Sequence, residues 1–171
     1  MAIASVGDSG AVLCRSGETI SLTNDHHPSR EDELKRIKSF KGWIDWESRA
    51  TPMVNGRLAM TRSLGDFDLK GFGVIASPET SLLKINSEHD AFLVLHTDGI
   101  SHVMSDTDIV QLVQAFNEPH QAAHALTCCA MQYGSEDNAT AIVVPLRAWD
   151  KFQAARSSQL SLLRNMRIKY N

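Results

Sequence analysis

The sequence predicts an α+β fold, with short strands along most of the chain and two adjacent helices in its second half. Several apolar runs of strand length come first, two stretches of helical periodicity follow, and one further apolar run comes after them. Strands and helices do not alternate strictly, which argues against a parallel sheet built from β-α-β units. With 171 residues, the chain has room for one domain and one sizeable core.

Short strands are predicted in the first 22 residues. Residues 2–6 (AIASV) and 11–14 (AVLC) are apolar runs on either side of GDSG, and they indicate two strands or one strand with a kink. Residues 19–22 follow as a further strand.

A first helix is predicted soon afterwards. Ser29 and Asp32 have the spacing of a capping box, and Leu34 and Ile37 continue at helical spacing. Residues 41–56 have no clear period and predict a long loop or irregular flap, a kind of segment that is often functional.

The second half of the chain carries the strongest signals. VIASPET and SLLKI are strand-forming segments around a proline turn, and residues 91–95 predict a strand buried on both faces. Ser105 and Asp108 predict a capped helix, and a second helix should run from near Pro119 to Gly134. ATAIVVPL then predicts a final buried strand.

We expect a partial domain over residues 1–149 and a basic tail over residues 150–171. The tail holds five basic residues against a single acid and has weak helical character. An appended helix is one interpretation, and a helix that docks on a partner or a membrane surface is the other.

Composition excludes several functional classes. A net charge of −3 gives no basic field to gather nucleic acid, and no apolar run is long enough to cross a bilayer. The three cysteines, Cys14, Cys128 and Cys129, fit a reducing intracellular compartment. Cys128 and Cys129 are a conceivable metal or redox pair, although the absence of CxxC spacing favours helix residues in or near the core.

GDSG, at residues 7–10, is the string that surrounds the nucleophilic serine of trypsin-like proteases. In that arrangement the other triad members precede the serine, and almost nothing precedes Ser9. The chain also lacks the strands that such a protease has upstream of this loop. The sequence therefore argues against a protease.

Three aspartates stand at strand ends next to small residues: Asp8, Asp98 and Asp137. An aspartate that ends an apolar strand is costly unless something pairs with it, and hard cations such as Mg²⁺ and Mn²⁺ prefer oxygen ligands. A turn or a helix cap is the other explanation for each one. Spacing alone leaves open whether the three converge.

Five segments together resemble the metal-dependent protein serine/threonine phosphatases of type 2C. The segments are DHHP, NGRLAMTRSLGDFDLK, SPE, FLVLHTDGI and GSEDNATAIVV. The match runs from about Ile3 to about Trp149, and its details are most similar to a mitochondrial branch that acts on the branched-chain 2-oxo acid dehydrogenase complex. The resemblance implies the C-terminal portion of a β-sandwich flanked by helices, located in the mitochondrial matrix or the cytoplasm.

The resemblance also implies a binuclear Mn²⁺ or Mg²⁺ site and a metal-activated water that attacks a phosphoserine or phosphothreonine protein. By position, Asp98 and Asp137 match metal ligands, and Asp8 matches a ligand of a looser third metal. His102 stands where an acidic ligand is common in the family. Residues 38–56 correspond to the flap beside the substrate cleft.

Several departures from the family pattern bear on activity. No DGHGG-like string, which carries the metal-bridging aspartate, occurs in the chain, and neither does the segment with the phosphate-binding arginine. Gly10 replaces the arginine of GDSR, and Lys41 replaces a glycine that is common in the family. Lys41, Gly42 and Trp43 are the flap candidates for substrate contact. Two hypotheses follow: an active phosphatase, or a catalytically incomplete relative that binds phosphoproteins or another phosphatase.

Overall fold

The protein is described from a computed structural model that covers residues 1–47 and 51–152, and its contacts divide these residues into two compact units. The first unit consists of Met1–Ser9 and Asn24–Leu83. The second consists of Gly10–Thr23 and the described residues from Lys84 onward. Most of the predicted basic tail, from residue 153 on, lies outside the described residues.

Strands and helices are mixed along the chain, which confirms the predicted α+β class. The strands are β1 (Ala2–Ser5), β2 (Gly10–Arg15), β3 (Glu18–Ser21), β4 (Ile44–Asp45), β5 (Met53–Val54), β6 (Glu79–Leu82), β7 (Asp90–His96) and β8 (Ala141–Pro145). The α-helices are α1 (Glu31–Ser39), α2 (Asp98–Ser101), α3 (Asp106–Gln114) and α4 (Pro119–Gln132), and 3-10 helices span Phe67–Phe72 and Trp149–Phe152.

The first unit holds two small antiparallel pairings and one helix. β1 pairs with β6, and β4 pairs with β5 as a short hairpin inside the segment predicted to be an irregular flap. Its core is formed by residues of α1, the hairpin and the 3-10 helix: Ile37, Ile44, Val54, Leu69 and Val74.

The predicted capping box of α1 is wrong. The helix begins after Arg30, which makes no side-chain cap, whereas Ser29 Oγ lies 2.8 Å from Nδ1 of His27 in the preceding turn. Three consecutive acidic residues still fill the first turn of α1, where the positive end of the helix dipole favours negative charge.

The second unit is a four-stranded antiparallel sheet in the order β3-β2-β7-β8. Helices α3 and α4 pack on one face, and the core between sheet and helices includes Val12, Phe92, Val94 and Leu126. Phe92 meets Trp149 edge to face, with ring centroids 5.4 Å apart.

The second unit confirms one prediction and corrects another. Ser105 and Asp108 form the predicted capping box of α3, with Asp108 N donating to Ser105 Oγ at 3.2 Å. The predicted burial of the last strand is wrong, because β8 lies at the sheet edge and alternate side chains, Ile142 and Val144, are exposed. The prediction that β7 is buried on both faces is also wrong at Leu95, which is 39% exposed.

Candidate functional site

Hydrogen bonds join two aspartate-bearing loops: the junction of β7 and α2, where Asp98 is the first helical residue, and the loop that holds Asp137. Thr97 N donates to the carbonyl of Thr140 at 3.1 Å, and Thr97 Oγ1 accepts from Thr140 N at 3.0 Å. Ser135 Oγ donates to the carbonyl of Gly99 at 2.6 Å. Two motifs that are about 40 residues apart in the sequence therefore lie side by side in the second unit.

The two loops approach so closely that residue 99 must lack a side chain. A Cβ on Gly99 would lie 2.5 Å from the carbonyl oxygen and 2.9 Å from the carbonyl carbon of Asn138. Both atoms belong to the backbone, so a side chain at this position would force the loops apart. The glycine of HTDG is thus a requirement of the loop contact.

The carboxylates of the two loops are both accessible to solvent. Asp98 begins α2 and its side chain is 29% exposed, and Asp137 is exposed with Oδ1 accepting from Asn138 N at 2.7 Å. His102 lies one helical turn after Asp98, with its Nδ1 4.0 Å from Asp98 Oδ2. Each aspartate therefore presents oxygen atoms that a cation can reach.

Asp8, the third predicted ligand, lies in the first unit in the turn after β1. Gly7, which precedes it, has a φ of +104°, a conformation that glycine adopts without strain. Gly7 N lies 3.1 Å from Nδ1 of His26, and the carbonyl of Gly7 accepts from His26 N at 2.9 Å. The buried His26 therefore fixes the backbone of the turn that carries Asp8.

A buried network of ion pairs around Glu33 is linked to His26 through Thr61. Thr61 N donates to the carbonyl of His26 at 2.7 Å, and Thr61 Oγ1 is hydrogen-bonded to Glu33. Glu33 also accepts from Arg36 at 2.8 Å and from Arg62 at 2.6 Å. Burial alone would raise the pKa of Glu33, but the bonds from Arg36, Arg62 and Thr61 outweigh it and hold that pKa well below its ordinary range.

The acidic groups beside this network resemble a metal site only at first sight. Oxygen atoms of Asp32, Glu33 and Glu79 lie within 4.8 Å of one another. Arg30 donates to Asp32 at 2.8 Å and to Glu79 at 2.5 Å, so guanidinium groups already neutralise these carboxylates. The cluster is a structural ion network, and the sequence pattern had not singled it out.

Two of the three flap candidates lie just after α1 and donate hydrogen bonds to its last turn. Lys41 N donates to the carbonyl of Lys38 at 3.0 Å and Gly42 N to that of Ile37 at 3.0 Å, which satisfies carbonyls of the last helical turn. A Cβ on Gly42 would lie 2.6 Å from the carbonyl oxygen of Phe72. Trp43 is different, because this residue is 54% exposed.

The family profile described as "Protein phosphatase 2C" matches residues 1–139. The chain belongs to the protein phosphatase 2C family. This membership accounts for GDSG as part of a phosphatase-family segment and removes the protease interpretation of Ser9. It also agrees with antiparallel sheets flanked by helices.

Curated relatives of the chain are named as protein phosphatases. Over 158 residues the chain is 51% identical to "Protein phosphatase 1K, mitochondrial" of Xenopus laevis, covering 92% of this chain and 42% of that protein. Over 145 residues it is 45% identical to "Probable protein phosphatase 2C 76" of Arabidopsis thaliana, covering 85% and 34%. The chain thus spans less than half the length of these relatives.

Solved structures show the same fold. A phosphatase from a pathogenic strain of Toxoplasma gondii superposes with a TM-score of 0.77 at 25% identity, covering 86% of this chain and 48% of that one. A Caenorhabditis elegans sex determining protein superposes with a TM-score of 0.76 at 29% identity, covering 95% of this chain and 39% of that one.

Within residues 1–47 and 51–152, we find no helix with the length and apolar character needed to span a membrane.

Proposed function

We propose that Asp98 and Asp137 are cation ligands of a metal-dependent phosphatase that acts on phosphoserine or phosphothreonine proteins. The observation that carries this proposal is the set of hydrogen bonds that holds the two aspartate-bearing loops together. Family membership supports a protein phosphatase function.

The ligand set fits a hard divalent cation. Mg²⁺ and Mn²⁺ are commonly held by one or two protein carboxylates, and water molecules supply the other ligands. Two accessible aspartates are therefore a usual protein contribution to such a site. When bound, the ion would polarise a phosphoryl oxygen and lower the pKa of a water molecule. The chain's own part is to hold Asp98 and Asp137 on adjoining loops, with His102 as a further, weaker ligand.

The remaining predicted residues have lesser roles in this proposal. Asp8 is a ligand of a looser cation, and its backbone turn is fixed by His26. Trp43 is the flap residue we assign to contact with a phosphoprotein, because it is the exposed aromatic member of the three candidates. Lys41 and Gly42 shape the end of α1 that leads to it.

The similarity to a relative whose name includes "mitochondrial" supports a mitochondrial location. The cytoplasm is the other compartment compatible with a chain of this composition. The substrates we propose are phosphoproteins, with those of the branched-chain 2-oxo acid dehydrogenase complex as the first to test.

Mn²⁺ binding by calorimetry tests the ligand assignment. We expect Asp98→Asn or Asp137→Asn to weaken binding at least about tenfold, since each removes a charged ligand. Glu136→Gln is the matched control, because Glu136 is an exposed acid next to Asp137 and should change binding little. Equal Mn²⁺ affinity in all variants would contradict the assignment.

A phosphopeptide assay tests turnover separately. An active phosphatase should release phosphate only with Mn²⁺ or Mg²⁺ present, and Asp98→Asn should abolish that release. Metal binding that depends on Asp98 without any phosphate release would instead support the catalytically incomplete, phosphoprotein-binding alternative.

A further inference from the structure

The sheet of the second unit leaves an aliphatic strip exposed on the face away from helices α3 and α4. Leu95 is 39% exposed, Ile142 53% and Val144 37%. Ile142 lies opposite Leu95 in the β7–β8 pair, and Val144 follows on the same face of β8. We call these three residues the open strip. β8 is also the edge strand of the described sheet and carries no charged residue, although exposed edge strands are normally charged or covered.

Acidic groups lie at one end of the open strip. Asp98 closely follows β7 and Asp137 closely precedes β8, so both lie at the same end of the sheet. The second unit is acidic as a whole, since Gly10–Thr23 and residues 84–152 together hold ten acidic residues and four basic ones. An occupant of the strip should therefore combine apolar side chains with positive charge.

The C-terminal segment, residues 153–171, has this composition. It lies outside the described residues, and its sequence holds no acidic residue and four basic ones: Arg156, Arg164, Arg167 and Lys169. Large apolar residues stand among them: Leu160, Leu162, Leu163, Met166 and Ile168. We propose that the C-terminal segment docks on the open strip, with its apolar residues over the three aliphatic side chains and its last basic residues beside Asp98 and Asp137.

The segment is long enough to reach this position. The described residues stop on the helix side of the opposite end of the sheet, where Gln114 Nε2 donates to the carbonyl of Phe152 at 3.2 Å. From there, passing the edge of β8 takes about 10 Å and following the strand takes about 17 Å, at ordinary strand spacing and rise. Residues 153–171 span about 28 Å even at the helical rise per residue, and more when extended.

An occupant from the same chain fits this strip better than a second copy does. Three partly exposed side chains offer far less than the roughly 800 Å² per partner of a standard protein–protein interface. A tethered segment needs less area, because the tether supplies an effective concentration in the millimolar range. Two copies would also bring two acidic units together, whereas the segment brings positive charge.

Limited digestion with chymotrypsin tests the docking on the full, metal-free chain, because this protease cleaves after the leucine, methionine and tyrosine residues of the segment. A synthetic peptide of residues 153–171 gives the rate for an undocked segment. We expect the segment to be cleaved at least about fivefold more slowly in the chain, since cleavage follows the undocked population. Raising the salt concentration should reduce this protection by screening the charges.

Matched variants locate the contact. Ile142→Gln and Val144→Gln together should remove the protection, whereas Met131→Gln, at an exposed apolar residue of α4 outside the strip, should leave it unchanged. In the segment itself, Arg167→Gln should reduce the protection more than Arg156→Gln, which lies near the start of the segment. The segment variants leave the sheet unaltered, so they test the docking even if the strip variant fails to fold.

Four results would overturn the proposal. Equal cleavage of the segment in the chain and in the free peptide would show that it does not dock. Protection that survives the strip variant would place the segment elsewhere on the molecule, and protection that grows with protein concentration would place it on a second copy. Protection that appears only with vesicles of anionic phospholipid would make it a membrane-binding segment. These measurements need neither a metal ion nor a phosphopeptide, so the docking and the phosphatase assignment fail independently.

Discussion

The imidazole of His96 occupies the space directly over Gly10, where the side chain of residue 10 would otherwise lie. The two residues are opposite each other in the β2–β7 pair. A Cβ on Gly10 would lie 2.3 Å from Cε1 and 2.5 Å from Nε2 of the ring. Since His96 is only 5% exposed, the ring has little room to move aside.

Substituting Gly10 should therefore destabilise the protein even though glycine is a poor strand residue. We expect Gly10→Ala to lower the free energy of unfolding by about 1–3 kcal/mol, the usual cost of overpacking. Urea unfolding measures this change. The family arginine at this position would meet the same ring, so Gly10→Arg should behave alike.

A double-mutant cycle separates this clash from other effects. In a His96→Ala background the cost of Gly10→Ala should largely disappear, which appears as a coupling energy of about 0.5–3 kcal/mol. Gly65→Ala is the control, because no atom lies within 4 Å of a Cβ at that position. Equal costs of Gly10→Ala in both backgrounds would show that the ring is not the obstacle.

Removing the charge of Glu33 should be strongly destabilising. Glu33 is fully buried and its carboxylate holds two guanidinium groups, those of Arg36 and Arg62. Glu33→Gln removes the buried carboxylate from both partly buried guanidinium groups and leaves Arg62 with the more distant Glu79 at 3.4 Å. We expect a loss of about 3–5 kcal/mol in urea unfolding. Glu31→Gln, in an exposed pair on the same helix, should cost less than about 1 kcal/mol.

The same group predicts a pH dependence. Because the folded-state pKa of Glu33 is depressed, its contribution is complete above the ordinary value of 4.5 and is lost as the pH falls below it. The difference in unfolding free energy between the unaltered protein and Glu33→Gln should therefore shrink from pH 6 toward acid. A difference that stays constant over this range would contradict the assignment of the shifted group.

Lys41 is held in a conformation that suits glycine. Its φ is +60° and it directly follows Phe40, the C-cap residue of α1. We expect Lys41→Gly to stabilise the protein by about 0.5–1 kcal/mol, as glycine is favoured at this position after a helix. The control is Lys35→Gly inside α1, which should destabilise by about 1 kcal/mol. Thermal unfolding of the two variants should shift in opposite directions.

The sequence predicted those elements whose signals are local. The capping box at Ser105 and the strand from Ala91 to Val94 follow from spacing and from a continuous apolar run, and both are present. The burial of the last strand could not be predicted, since Ile142 is as apolar as Val143 but faces the side of the sheet that the helices leave open. Which side is covered depends on packing between distant segments.

The candidate site, like the fold, was predicted from the sequence only in part. Asp98 and Asp137 stand in recognisable motifs, but their proximity depends on bonds between Thr97 and Thr140, which no spacing rule reveals. Glu33 was missed because one glutamate among three acidic residues looks like an ordinary charged first turn. An arginine three residues later was the only local sign of its pairing.

Gly99 offers the sharpest test of the link between fold and metal binding. A Cβ at this position meets the backbone of Asn138, so Gly99→Ala must separate the two aspartate-bearing loops. We expect a loss of about 1–3 kcal/mol in stability and a fall of at least about tenfold in Mn²⁺ affinity. Gly71→Ala, which has open space around the added methyl, should change neither quantity. If Gly99→Ala lowers stability while Mn²⁺ affinity stays unchanged, the spacing of the two loops does not determine cation binding, and the ligand pair must be sought elsewhere in the chain.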